Sequence, residues 1–128
     1  MLFPDELFYN EDHVWIEADG DLATIGITEY LHGDMEEIIS IEISEVGTEL
    51  EIGDTLATIE LRQGMVEIYA PLSGEVVEAN QDLIDSPDWI SSSPYEDGWM
   101  IRLKLSEIEE LDDLMDADDY TEFVQGEE

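Results

Sequence analysis

The sequence contains no cysteine, which excludes disulfides, zinc thiolates and thiol nucleophiles. Bases are almost as scarce: Arg62, Arg102 and Lys104 stand against 36 acids, a net charge of −33 over 128 residues. So few cations exclude binding to nucleic acid or to an anionic membrane by counterion release. Long apolar runs are missing as well. The stretch Ile38-Ile39-Ser40-Ile41 is among the longest, whereas a membrane span needs about 20 apolar residues. Met1-Leu2-Phe3-Pro4-Asp5-Glu6 lacks the basic start and apolar stretch of a signal peptide. No serine, histidine and acid are arranged as in a nucleophilic site, and no glycine-rich phosphate loop is found. The expectation is a soluble cytoplasmic protein that is not an enzyme.

What the chain does have is material for a core. Its apolar fraction is 43%, with three Trp, five Tyr and three Phe, whereas disordered acidic chains are poor in such residues. The length suits one domain, 1–128. The acidity has three physical explanations: a saline cytoplasm that screens the repulsion, mimicry of a polyanion, or recognition of a basic partner.

Strands are expected at 14–16 and 22–28, joined by the hairpin turn Ala18-Asp19-Gly20-Asp21, with Ala23, Ile25 and Ile27 on one face. Thr28 is expected to cap a short helix through Met35. Ile39, Ile41 and Ile43 alternate with Ser40 and Glu42 as in a half-buried strand. Thr55–Leu61 and Val66–Ala70 form a hairpin connected by Arg62-Gln63-Gly64-Met65, where glycine supplies a positive φ. Pro71-Leu72-Ser73-Gly74 turns into Glu75–Glu78, and a short helix follows around Gln81–Ile84. A surface loop spans Ser86–Gly98, and Ile101, Leu103 and Leu105 share a strand face. Ser106 and Glu109 form a capping box for a helix with Ile108, Leu111, Leu114 and Met115 on its apolar side. The last helix runs from Ala117 to Val124, presenting Tyr120, Phe123 and Val124. Short strands followed by C-terminal helices predict a mainly β fold, a small sandwich or barrel with helical additions.

Two segments carry a family resemblance. Gly47-Thr48-Glu49-Leu50-Glu51-Ile52-Gly53-Asp54-Thr55-Leu56-Ala57-Thr58-Ile59-Glu60 and Ile68-Tyr69-Ala70-Pro71-Leu72-Ser73-Gly74-Glu75-Val76-Val77-Glu78-Ala79-Asn80 resemble the halves of a lipoyl/biotinyl hammerhead domain. The flanks His13-Val14-Trp15, Ala23-Thr24-Ile25-Gly26-Ile27-Thr28-Glu29-Tyr30, Pro94-Tyr95-Glu96-Asp97-Gly98-Trp99 and Leu111-Asp112-Asp113-Leu114-Met115-Asp116-Ala117 narrow it to the glycine cleavage system H protein family. The resemblance implies a hammerhead core over about 22–105 and helices over about 106–124. It also implies a non-catalytic carrier, whose lysine-bound lipoyl arm passes an aminomethyl group between the glycine cleavage enzymes.

That arm needs a primary amine. Where the family usually reads Glu-Ser-Val-Lys-Ala, this chain reads Glu60-Leu61-Arg62-Gln63-Gly64, so Gln63 occupies the lysine position. An amide nitrogen is not nucleophilic like an amine, and no lipoyl group or other cofactor is expected. Val14 stands where the family has a glutamate facing the aminomethyl-lipoyl group, and Glu36-Glu37 replaces Gly-Asp, while Glu67 keeps the acid after the tip. Lys104 lies on a strand far along the sequence from the tip. The expected function is therefore that of an H-like adaptor or regulator which cannot be lipoylated. Arg62, Gln63, Gly64, Met65 and Glu67 are its candidate binding residues. Its partners are expected to be glycine cleavage or lipoate-handling enzymes, or a basic protein. Two alternatives stand beside it: an aminomethyl carrier altered at position 63, and a DNA-mimicking polyanion. No metal is expected. The acids Asp112, Asp113, Asp116, Asp118 and Asp119 lack calcium-loop spacing and read as a solvated face, and His13 and His32 read as structural or surface residues.

Overall fold

A computed structural model describes residues 7–10, 13–28, 38–62, 64–86, 89 and 98–127. The expected helix after Thr28, most of the loop over 86–98, and both His32 and Gln63 lie outside the described residues. The strands are β1 (Phe8–Tyr9), β2 (Val14–Asp19), β3 (Leu22–Ile27), β4 (Ile38–Ile43), β5 (Glu49–Leu50), β6 (Thr55–Leu61), β7 (Gly64–Tyr69), β8 (Gly74–Ala79) and β9 (Ile101–Leu105). Helix α1 is Gln81–Asp85, a 3-10 helix covers Ile108–Asp113, and α2 is Ala117–Glu127.

The strands build two antiparallel sheets, of order β1-β2-β3-β9-β8-β5 and β4-β6-β7. They form a sandwich, with no closed barrel among the described residues. The alternating residues do what their pattern requires. Ala23, Ile25 and Ile27 of β3, with Ile101, Leu103 and Leu105 of β9, turn inward and meet Ile41, Ala57, Ile59 and Ile68 of the smaller sheet in one apolar cluster. Gly20, at φ 64°, sits in the turn between β2 and β3, as its Asp-Gly sequence predicts.

The larger sheet buries its other face too, at the β1–β2 end. Successive residues of β2 point oppositely, so Val14 and Ile16 enter the inter-sheet core while Trp15 emerges on the far side. There Trp15 joins Leu7, Tyr9, Ala117, Tyr120 and Val124 in a second cluster, and α2 covers it. Ala117, Tyr120 and Val124 recur at helical spacing, whereas Phe123, expected on that face, is only partly buried. The helix starts where Asp116 accepts a hydrogen bond from the Asp119 amide at 2.8 Å, a cap the sequence reading missed.

Two local expectations are corrected. Ile39 is 57% exposed because the β4–β6 register slips between Ile38 and Ser40, which puts Ile38 rather than Ile39 against the core. Ser106 and Glu109 form no capping box: the helix there is 3-10, begins after Glu107, and has no side-chain cap. The carboxylate that reaches back is that of Glu110. It accepts from the Ser73 amide at 2.8 Å and from the Ser73 hydroxyl at 3.0 Å, tying the segment to the turn before β8. Leu111 and Leu114 still pack on the main core, while Ile108 is half exposed.

Candidate functional site

The β6–β7 hairpin is long because β6 presents an unbroken apolar face, Leu56, Ala57, Ile59 and Leu61, that must be covered. Leu61 pairs with Gly64 across the end, so only two positions separate the strands in sequence. This corrects the expected four-residue connection: Gly64 and Met65 belong to the returning strand, which starts before Val66 and ends at Tyr69. Gly64 has φ 155°, a value that side-chain-bearing residues rarely adopt.

The expected binding residues are thereby placed. Arg62 is exposed at the turn. Met65 is 72% exposed and lies opposite Glu60, which in turn lies opposite Ser40. Glu67 is exposed opposite Thr58, which faces Glu42, and it accepts a hydrogen bond from the Tyr69 hydroxyl at 3.1 Å. The Ser40 hydroxyl donates to Glu60 at 3.0 Å. The outward face of the small sheet therefore combines Met65 and Tyr69 with three exposed carboxylates, Glu42, Glu60 and Glu67.

The other cations sit elsewhere. Arg102 of β9 pairs with Glu78 at 3.0 Å and lies over the Trp99 ring at 4.8 Å. Lys104 is the chain's single lysine and also belongs to β9, paired in register with Leu22 and Glu75. It lines an acidic groove with Glu49, Glu51, Asp54, Glu75, Glu107 and Glu110. In sequence, the two residues between Leu61 and Gly64 carry a guanidinium and an amide but no amine. Val14 is fully buried, so an apolar residue suits its position in the core.

One cluster was not foreseen. Tyr120 of α2 places its hydroxyl 2.7 Å from His13 Nδ1 and 2.8 Å from Thr28 Oγ1, and its ring stacks on Tyr9 at 4.7 Å. His13 adopts φ 64°, and its carbonyl accepts from the Thr28 amide. The cluster joins the C-terminal helix to both ends of the β2–β3 hairpin, and no local sequence signal marks it. Among the described residues, no group of three or more His, Cys, Asp or Glu side chains is arranged to hold a metal, and no helix is long and apolar enough to cross a membrane.

Two packed antiparallel sheets, with the β6–β7 hairpin in the smaller one and a helix on the outer face of the larger, define a lipoyl-type β-sandwich. The sequence profile described as glycine cleavage H-protein matches residues 7–127, and the chain belongs to that family. The glycine cleavage system H protein of Staphylococcus haemolyticus is 44% identical over 124 residues, covering 97% of this chain and 98% of the relative. That of Staphylococcus saprophyticus is 42% identical over the same length. The crystal structure of a glycine cleavage system H protein from Mycobacterium marinum superposes with a TM-score of 0.86 at 27% identity, covering 96% of this chain and 99% of that one.

Proposed function

We propose that this H-protein family member carries no lipoyl arm and acts as an acidic protein-binding adaptor or regulator. The observation that carries the reading is chemical. Gln63 stands where the resemblance places the family's lysine, and the only lysine, Lys104, is held in the other sheet. Arg62, Met65 and Glu67 then serve as contact residues around the tip rather than as surroundings for a swinging group.

Intact-mass measurement after incubation with lipoate, ATP and a lipoate-attaching ligase tests this. The unaltered chain is expected to keep its mass, and Gln63→Lys to gain one lipoyl group. A lipoyl mass on the unaltered chain would sink the proposal and favour a carrier. The partner is sought by pull-down from host lysate with a high-salt wash. Glycine cleavage or lipoate-handling enzymes would mark an armless regulator. Basic nucleic-acid-binding proteins that wash away in salt, and that compete with DNA, would favour the polyanion-mimic reading, which the net charge of −33 supports.

A further inference from the structure

A 3-10 helix turns once in three residues, so side chains three apart stand in line. In the 3-10 segment Ile108–Asp113, Ile108 and Leu111 form such a row, and Leu114 continues it just past the end. Leu111 and Leu114 pack on the main core, while Ile108, at the outer end of the row, is 50% exposed. Beside the row lies a groove of about 640 Å³, which Phe8 of β1 also lines. Four exposed carboxylates stand around it: Glu109 and Asp112 from the 3-10 helix, Asp116 and Asp119 from the start of α2. None of the chain's three bases lines it. Asp116 caps α2 and Asp119 lies in its first turn, so helix stability accounts for both. It does not account for Asp112, in the last turn of the 3-10 helix, where a negative charge opposes the helix dipole.

We propose that this groove docks an amphipathic basic helix of a protein partner. The proposal rests on the adaptor reading and names the chemistry of its partner. Such recognition lays the apolar face of a helix into an apolar trough, with anchors at i, i+3 or i+4, and i+7. Here the anchors seat against Phe8, Ile108 and the exposed parts of Leu111 and Leu114. The volume takes a few side chains and not a folded domain, as a short row of anchors requires. A strand does not add here, because β1 is only two residues long and Tyr9 is already bridged to Met115. Charge selects the occupant. A second copy of this chain would bring another 33 negative charges to an acidic groove, so self-docking is disfavoured and a basic helix favoured. Lysine and arginine use both parts of the groove, with stems along the apolar row and heads at the carboxylates. The groove is built from β1, the 3-10 helix and α2, not from the sheet that holds Met65 and Glu67.

The test uses the full chain and a blocked helical peptide with leucines at i, i+4 and i+7 and lysines on its flanks. Its control is a scrambled peptide of the same composition, which keeps the charge and lacks the apolar face. Amide chemical shifts are followed by NMR at low salt. The amphipathic peptide is expected to shift the amides of the 3-10 helix and of the first turn of α2. The scrambled peptide is expected to bind about tenfold more weakly or worse, because its leucines stay in water. Ile108→Ser, at a half-exposed position, is expected to weaken binding about tenfold while the amides of β2 and β3 keep their shifts. Asp112→Asn is expected to weaken it roughly two- to threefold at low salt, a difference that fades near about 1 M. Equal binding by both peptides, indifference to either substitution, shifts confined to the smaller sheet, or no binding would each overturn the proposal. So would self-association in sedimentation with Ile108 in the interface, which would make a second copy the occupant. The adaptor reading fails separately, by a lipoyl mass on the unaltered chain, and none of these outcomes bears on that measurement.

Discussion

At the scale of single residues, two positions bear more than their size suggests. The Tyr120 hydroxyl bridges His13 and the fully buried Thr28, so Tyr120→Phe removes the partner of an enclosed hydroxyl while keeping the ring stack on Tyr9. Leaving such a group unsatisfied costs about 1–3 kcal/mol. The expected result is a lower urea midpoint with an unchanged slope, read by far-ultraviolet circular dichroism. Gly26 lies beneath Trp15, and a Cβ there would stand 2.6 Å from the indole Cε2. Because Trp15 is locked between Gly26 and the second cluster, Gly26→Ala should destabilise by about 1–3 kcal/mol through overpacking and shift tryptophan emission. The contrasting position is Met65, which is 72% exposed and whose replacement should leave stability nearly unchanged.

At the scale of elements, the larger sheet is the scaffold on which the β4-β6-β7 sheet packs. The scaffold depends on β8 and β9 lying close where Gly74 pairs with Leu105. A Cβ on Gly74 would run into the Lys104 carbonyl, which is backbone and cannot move without opening the ladder. Gly74→Ala is therefore expected to cost at least as much as Gly26→Ala, about 1–3 kcal/mol or more, since a ladder is harder to shift than a side chain. Hydrogen exchange should report faster opening at both Val76 and Leu103, which pair in that ladder. If only overall stability fell and the exchange pattern stayed the same, the close approach of β8 to β9 would not be the cause. The short 3-10 helix has little intrinsic stability and relies on the Glu110 to Ser73 tether.

At the scale of the whole molecule, charge dominates. A net −33 on so small a fold gives self-repulsion that added salt screens, as the Debye length falls from about 10 Å at 0.1 M to about 3 Å at 1 M. The urea midpoint should therefore rise with potassium chloride concentration, and urea is the denaturant to use because guanidinium is itself a salt. Binding to a basic partner should move the other way and weaken as salt rises. A midpoint indifferent to salt would mean that the charges are spaced widely enough for water alone to screen them.

Much of this was legible in the order of residues. Alternation marked β3, β4 and β9 because the side-chain period of a strand is local, and the Asp-Gly step marked the turn at Gly20 for the same reason. Composition decided the charge and the absence of thiols, and the matching segments identified the H-protein family. That residue 63 is a glutamine and bears no amine needs no fold to read. Tertiary structure alone decided the rest. The slip that exposes Ile39 depends on how β4 pairs with β6. That Glu110 bonds Ser73, in place of the expected Ser106 and Glu109 box, depends on a turn 37 residues away. The His13 and Tyr120 contact spans 107 residues, a separation no short-range pattern encodes.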